Sequence, residues 1–398
     1  MRLAKINVLA KLGLIGPAAL IGASVPATQL RAAPSPAAAA MLSAAQPRYP
    51  APRPLLQPAR PQPGVNSGGS RSAGAVVTPA ERAAQRALEE RLASLGRAFQ
   101  GEVGIAVRDV ETDWAASWNG SRLFPQQSVS KFWVALTAFN AIDNGRLELD
   151  RRVTLRRQDL TLFNQPIAAQ VGANGFTTTI DDLMHRAITR SDNTANDFVL
   201  WQAGGPEAVR AFISRHGIEG VRFGPGERLL QSRIAGISWN QSYSQRGGFE
   251  AARAAVPAAS RRRNFENYVA DPIDGASPLG LTQGLAMLQR GELLSQQSTR
   301  RMLSIMAQTR TGPQRLTGGL APGWRIAHKT GTGQVLGGTQ AGYNDIGIIT
   351  SPDGRHYALS VTIGRTSVPN IVRMQLMQNV TRAAIAYHEA RRGYGGGY

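Results

Sequence analysis

Ser128-Val129-Ser130-Lys131-Phe132-Trp133-Val134-Ala135-Leu136 places a hydroxyl and an amine one helical turn apart, at the head of an unbroken apolar run. The run continues through Ile142 and stops at Asn144-Gly145, a helix-ending pair. The spacing therefore predicts a long apolar helix beginning at Ser128. A serine at a helix N-terminus faces free N–H groups and the positive end of the dipole, which favour an alkoxide or an oxyanion. A desolvated, neutral lysine beside it accepts a proton. Ser-x-x-Lys alone is a common accident, and a surface lysine is its ordinary explanation. The apolar residues that follow Lys131 argue against a solvated face.

The lysine usage points the same way. The chain has four lysines, Lys5, Lys11, Lys131 and Lys329, against 41 arginines. Arginine stays charged in proteins, whereas lysine is a compact amine whose pKa shifts on burial. Lys5 and Lys11 lie in an apparent leader, so Lys131 and Lys329 mark the places where arginine does not substitute. Lys329 opens Lys329-Thr330-Gly331-Thr332-Gly333 at the end of an expected strand. There a strand edge, an ammonium group and hydroxyls could take a carboxylate; a glycine-rich turn is the plain alternative. A third motif, Ser191-Asp192-Asn193, starts an expected helix, where all three residue types are also good N-caps.

Outward from these motifs the pattern alternates between sheet and helix. Thr78-Pro79-Ala80-Glu81 is a capping box ahead of an amphipathic helix over 79–99. Strand-like segments follow at 103–110 and 114–118. Residues 146–310 read as mainly helical, with helices at 180–188, 193–202, 206–216, 281–289 and 297–308. Strands are expected at 324–329, 345–350 and 357–364, then a helix over 369–391. This order implies an α/β (α+β) domain over 78–392. One antiparallel sheet is built from 78–145 and 311–392, helices flank it, and an all-helical lobe at 146–310 is inserted between its halves.

Composition bounds the rest. The 398 residues carry a formal charge of +19 and no cysteine, which excludes disulfides and thiol catalysis. Residues 1–27 have the charged start, apolar stretch and small-residue site of a secretory signal, implying a periplasmic or secreted protein with no membrane span after cleavage. Residues 28–77, rich in Pro and Ala and free of acid, read as a disordered tether. The Gly/Tyr-rich 393–398 is a flexible tail. Neither a nucleic-acid motif nor a metal-ligand spacing of histidines occurs, and no Gly-x-Ser-x-Gly elbow is present.

Ser-x-x-Lys, Ser-Asp-Asn and Lys-Thr-Gly, in that order, resemble the class A serine β-lactamase family. The likeness covers roughly 80–390 and extends to Gly204-Gly205-Pro206, Leu320-Ala321-Pro322-Gly323-Trp324 and Asn344-Asp345. It implies a five-stranded sheet and a monomer acting on a small β-lactam without metal or organic cofactor. It also implies roles: Ser128 as nucleophile, Lys131 and Ser191 in proton transfer, and Lys329, Thr330, Gly331 and Thr332 at the substrate carboxylate and oxyanion. Asn193 would hold the substrate amide. Glu227, in Glu227-Arg228-Leu229-Leu230-Gln231, would activate the deacylating water.

Three departures stand out. Gln231 replaces the usual Asn, Gly224-Pro225-Gly226 lacks a basic anchor, and about 232–270 is a longer, arginine-rich stretch expected as a solvated loop. Phe163 is a candidate aromatic wall, and Arg365 a candidate carboxylate ligand. The rival functions are a D,D-peptidase-like or slow-turnover acyl-enzyme protein acting on peptidoglycan, and a non-catalytic penicillin-sensing or cell-wall-binding module.

Overall fold

The computed structural model describes residues 77–392; the leader at 1–27, all but the last residue of the tether and the tail at 393–398 lie outside the described residues. Thr78 caps α1 (Pro79–Ala98) by accepting the Glu81 amide at 3.1 Å, and Leu88, Leu92 and Leu95 form its buried stripe. β1 (Glu102–Asp109), β2 (Ala115–Trp118) and the short β3 (Phe124–Pro125) follow. The apolar helix does not begin at Ser128. Gln127–Ser130 form a 3-10 turn, and α2 (Lys131–Asp143) starts after it. The tighter turn is closed by the Val129 amide donating to Gln126 O at 3.2 Å, across Gln127 with its φ of 52°.

β4 (Arg152–Leu155) and β5 (Phe176–Thr179) pair as a two-stranded ribbon inside the segment expected to be helical. Val153, Thr154 and Thr177–Thr179 are β-branched, and the Thr154 and Thr177 hydroxyls meet at 2.8 Å across the ribbon. The helices α3 (Ile180–Thr189), α4 (Asn193–Gln202), α5 (Gly205–Arg215) and α6 (Glu227–Ala235) come next. The stretch at 232–270 is not a loop. Beyond the end of α6 it folds as a short turn, α7 (Gly248–Ala255) and α8 (Ala258–Ala270). Phe265, Tyr268 and Val269, spaced to share one helix face, are buried there against Leu230 and Ile234 of α6.

The chain closes with β6 (Gly275–Ala276), α9 (Pro278–Gln289), α10 (Gln296–Ala307), β7 (Arg325–Thr332), β8 (Val335–Leu336), β9 (Thr339–Thr350), β10 (His356–Thr366) and α11 (Asn370–Arg392). The sheet runs β2-β1-β10-β9-β7, all antiparallel, with β8 as a small sixth strand beside β9. β7 continues past Lys329 to Thr332, which pairs with Tyr343, so Lys329 sits within a strand rather than at its end. Pairing with β9 overrides the turn tendency of Gly331.

Alternation along the strands splits the core. Tyr357, Leu359, Val361 and Ile363 face α1 and α11, together with Leu92, Met377 and Val380. Ile346, Ile348 and Ala358 face the opposite way and join α9 and the helices beyond it. Two helices change sides relative to the expected division. α9 covers the sheet against β1, β9 and β10, while α2 packs among α3, α4 and α5. Ten of the thirteen α2 residues are buried, and its Trp133 lies where a Cβ on Gly284 of α9 would be 2.4 Å from the indole. Gly284→Ala therefore forces the indole or α9 to move. No helix among the described residues is long and apolar enough to cross a membrane.

Candidate active site

Ser128 is half-buried on the 3-10 turn, and Lys131 behind it is buried. Lys131 Nζ donates to Ser128 Oγ at 2.7 Å and to Asn193 Oδ1 at 2.8 Å, and lies 3.8 Å from Glu227 Oε2. One ammonium group thus joins three sequence-distant segments. An isolated buried cation would be costly, and these partners offset that cost.

The Ser-Asp-Asn motif divides its labour. Asp192 is the N-cap of α4, accepting the Ala195 amide at 2.9 Å and the Ile167 amide at 2.7 Å. The residues on either side of it turn to the site. Ser191, at φ 57°, accepts from Lys329 Nζ at 2.9 Å. Asn193 Nδ2 donates to Leu162 O at 2.9 Å and Glu227 Oε1 at 3.1 Å. Gln127, Phe163 and Ser191 all hold left-handed φ values without being glycine. Such backbone costs about 1–3 kcal/mol per residue and clusters at functional sites.

Lys329 is fully buried and also donates to Thr330 O at 2.8 Å. Burial pushes its pKa well below the ordinary lysine range, and the nearby Lys131 charge pushes the same way. Gly331 lets β7 approach the serine turn, since a Cβ there would be 2.5 Å from Gln126 O. Thr330 Oγ1 is engaged with Thr311 Oγ1 at 2.6 Å, while the exposed Thr332 accepts from Arg315 Nη2 at 2.7 Å.

Arg365 is not gathered with these groups. It lies within β10, and its guanidinium pairs with Glu102 of the neighbouring β1 at 3.1 Å. Arg315 is the arginine at the Lys-Thr-Gly strand, bonding also to Gly331 O at 3.0 Å and Asn344 O at 2.6 Å and stacking on Tyr343. Phe163 is exposed, edge-on to Phe249 of α7 with centroids 5.0 Å apart. The next residue, Asn164, holds Ser191 O at 2.9 Å and the Asn193 amide at 2.8 Å.

Glu227 begins α6, and its amide donates to Asp197 at 3.0 Å. Burial raises the Glu227 carboxyl, the Lys131 charge opposes that rise, and Asp197 adds to it. Gln231 Nε2 donates to Glu227 Oε1 at 3.1 Å and Gln127 Oε1 at 3.0 Å, while Gln231 Oε1 accepts from Gln334 Nε2 at 2.9 Å. Gln127 Nε2 then donates to the Tyr268 hydroxyl at 2.5 Å, and Tyr268 donates to Asp274 Oδ1 at 3.0 Å. The Asp274 Oδ2 atom accepts the Gln127 amide at 2.9 Å.

Burial pushes Asp274 from 3.8 up to about 6. Folding therefore favours its neutral form. The linked stabilisation is complete below the unfolded value and is lost as pH rises through the folded one. Above that the ionised group weakens the native state by about 3 kcal/mol. Asp274→Asn, which does not titrate, should gain stability relative to wild type by about that amount between roughly pH 4 and pH 7. Urea unfolding of both proteins across this range checks it; a constant difference would refute the raised pKa.

The structure thus gathers Ser128, Lys131, Ser191, Asn193, Glu227, Gln231, Lys329 and Gly331 into one cluster, with Thr332 exposed on the adjoining strand edge and Phe163 exposed next to Asn164. Sequence reasoning missed Arg315, Gln127, Tyr268, Asp274 and Gln334. None stands in a motif, and their roles come from long-range contacts. An ammonium bonded to a hydroxyl beside a carboxylate can shuttle protons to and from that oxygen.

A sequence profile described as the β-lactamase enzyme family matches residues 87–388. The chain is similar to β-lactamase VEB-1 of Pseudomonas aeruginosa, 25% identical over 73% of this chain and 87% of the relative. It is also similar to the extended-spectrum β-lactamase PER-1 of the same organism, 26% identical over 75% and 87%. Among solved structures, a β-lactamase from Chitinophaga pinensis is 26% identical with a TM-score of 0.62, covering 74% of this chain and 97% of its own. An ancestral class A β-lactamase is 29% identical with a TM-score of 0.59, covering 75% and 98%. Matched along most of its length in both sequence and fold, the chain belongs to the β-lactamase enzyme family and is a hydrolase of its class A branch.

Proposed function

We propose that the chain opens the β-lactam ring by acyl transfer to Ser128, followed by hydrolysis of the acyl-enzyme. The observation that carries this reading is the position of Lys131 Nζ, 2.7 Å from Ser128 Oγ, 2.8 Å from Asn193 Oδ1 and 3.8 Å from Glu227 Oε2. The Ser128 oxygen attacks the lactam carbonyl while its proton passes to the Lys131–Glu227 pair. The backbone N–H groups of Ser128 and Thr332 take the developing oxyanion; one such donor is worth about 2.7–4 kcal/mol of barrier.

Ser191, bonded to Lys329, delivers a proton to the leaving nitrogen and completes ring opening. Asn193 takes the substrate amide. Lys329 and Thr332, with Arg315 behind it, form a cationic strand edge for the substrate carboxylate. Glu227 activates the water that releases the product. Burial raises its pKa, which makes the carboxylate a stronger base than an exposed one. The leader at 1–27 would deliver the enzyme to the periplasm or the exterior, where it destroys antibiotic before the antibiotic reaches its target.

Turnover of a chromogenic cephalosporin tests the reading. Purified protein should open many equivalents of substrate per enzyme. A single stoichiometric burst with no further hydrolysis would favour a peptidase-like or sensing protein instead.

A further inference from the structure

We propose that Tyr268, carried by the inserted helix α8, is a positioning residue for the hydrolysis half of the reaction. It does so by fixing Gln127 and, through it, a Gln231 amide that orients Glu227. This inference rests on the Ser128 acyl-enzyme reading above.

The hydrogen bonds have a single consistent direction. Asp274, as a carboxylate, accepts from Tyr268 O–H, and Tyr268 in turn accepts from Gln127 Nε2. That leaves Gln127 Oε1 as an acceptor, and it takes a proton from Gln231 Nε2. The other Gln231 N–H goes to Glu227 Oε1. A flipped Gln231 amide would set its oxygen against the Glu227 and Gln127 oxygens and its nitrogen against Gln334 Nε2. The orientation is therefore forced. Both Gln231 N–H groups are spent, and its oxygen is turned to Gln334. Gln231 thus presents Glu227 with a donor and leaves no acceptor facing the carboxylate to share a water.

Leu230 and Ile234 of α6 pack against Phe265, Tyr268 and Val269 of α8 and place the Tyr268 ring. A pocket of about 510 Å³, lined by Leu230, Arg233, Asn264 and Tyr268 among others, adjoins that contact. Packing fixes the ring, and the two directed hydrogen bonds of the hydroxyl fix what it reaches. Gln127 needs that support, because its left-handed backbone precedes the nucleophile. Asp274 holds its amide, and Tyr268 holds its side chain. Removing the tyrosine hydroxyl should therefore spare the serine turn and release Gln231.

The test uses the full chain carrying Tyr268→Phe. Acylation and deacylation rates are measured separately by quenched-flow intact mass with a penicillin. Deacylation should fall at least ten-fold and acylation change less than about three-fold, so that acyl-enzyme becomes the steady-state species. Equal loss of both rates, or no change in either, overturns the inference. If Tyr268→Phe loses cooperative melting, Gln334→Ala decides by the same two rates, since it frees the same amide from its other side. An adduct on Glu227→Ala together with a deacylation rate that ignores both substitutions sinks this inference alone. No adduct on either wild type or Glu227→Ala sinks the acyl-enzyme reading and this inference with it.

Discussion

Ser128→Ala is expected to form no covalent penicillin adduct and to lose about 10⁵–10⁶-fold in turnover, the scale seen when a serine hydrolase loses its nucleophile. The residual rate would come from substrate binding and oxyanion contacts alone. Little else should change. The Ser128 side chain is half-buried, and its hydroxyl bonds only to Lys131 Nζ among the described contacts. Lys131 keeps Asn193 and Glu227 as partners. Stability should therefore move by less than about 1 kcal/mol. Intact-mass spectrometry after penicillin exposure reads the adduct, and thermal melting confirms that the fold persists. An adduct of penicillin mass on the variant would place the nucleophile elsewhere and remove the basis of the proposed mechanism.

Glu227→Ala has the second largest expected effect, and it acts on a different step. Deacylation should slow by about 10²–10⁴-fold, the usual contribution of a positioned general base. Acyl-enzyme then accumulates and is visible as added penicillin mass on nearly all of the protein. The carboxylate lies 3.8 Å from Lys131, which itself bonds Ser128, and accepts from Asn193 and Gln231. Its truncation leaves the N–H groups of Asn193 and Gln231 short of a partner, which costs about 1–3 kcal/mol for each buried donor. Removing a buried carboxyl whose ionised form is already disfavoured offsets part of that. Deacylation at the wild-type rate would refute the role of Glu227.

The two departures at the hydrolysis side are linked in space. Gln231 is longer than the expected Asn by one methylene, and that extra length lets its amide reach both Glu227 and Gln127. The lengthened stretch that reads as a basic loop supplies Tyr268 to the same network. Its six arginines against two glutamates read as a solvated surface and hide the stripe Phe265, Tyr268 and Val269. That stripe has the period of a buried helix face and was legible to a closer count.

Local patterning made the helices readable. The capping box at Thr78, the apolar run after Lys131, the Ser191-Asp192-Asn193 motif and the helical pattern over 180–188 place α1, α2, α4 and α3 within a residue or two at most boundaries. α2 is the exception at its start, where the 3-10 turn Gln127–Ser130 replaces the first helical turn. The strands were harder. β7 and β9 run through glycines that signal turns locally, and only their pairing with each other makes them strands.

The sequence by itself determined the chemistry on offer: which segments carry a hydroxyl, which two sites demand lysine, and where a carboxylate follows. These are properties of residue type and short spacing, which near neighbours along the chain impose. Only the tertiary structure decided which groups meet. Arg365 spends its charge on Glu102 across one strand pair, and Arg315 takes the place beside Thr332. Gln127 meets Gln231, Tyr268 and Asp274, all more than a hundred positions away. Side-chain contacts of that range depend on how the sheet and helices pack, and no window of the chain encodes them locally.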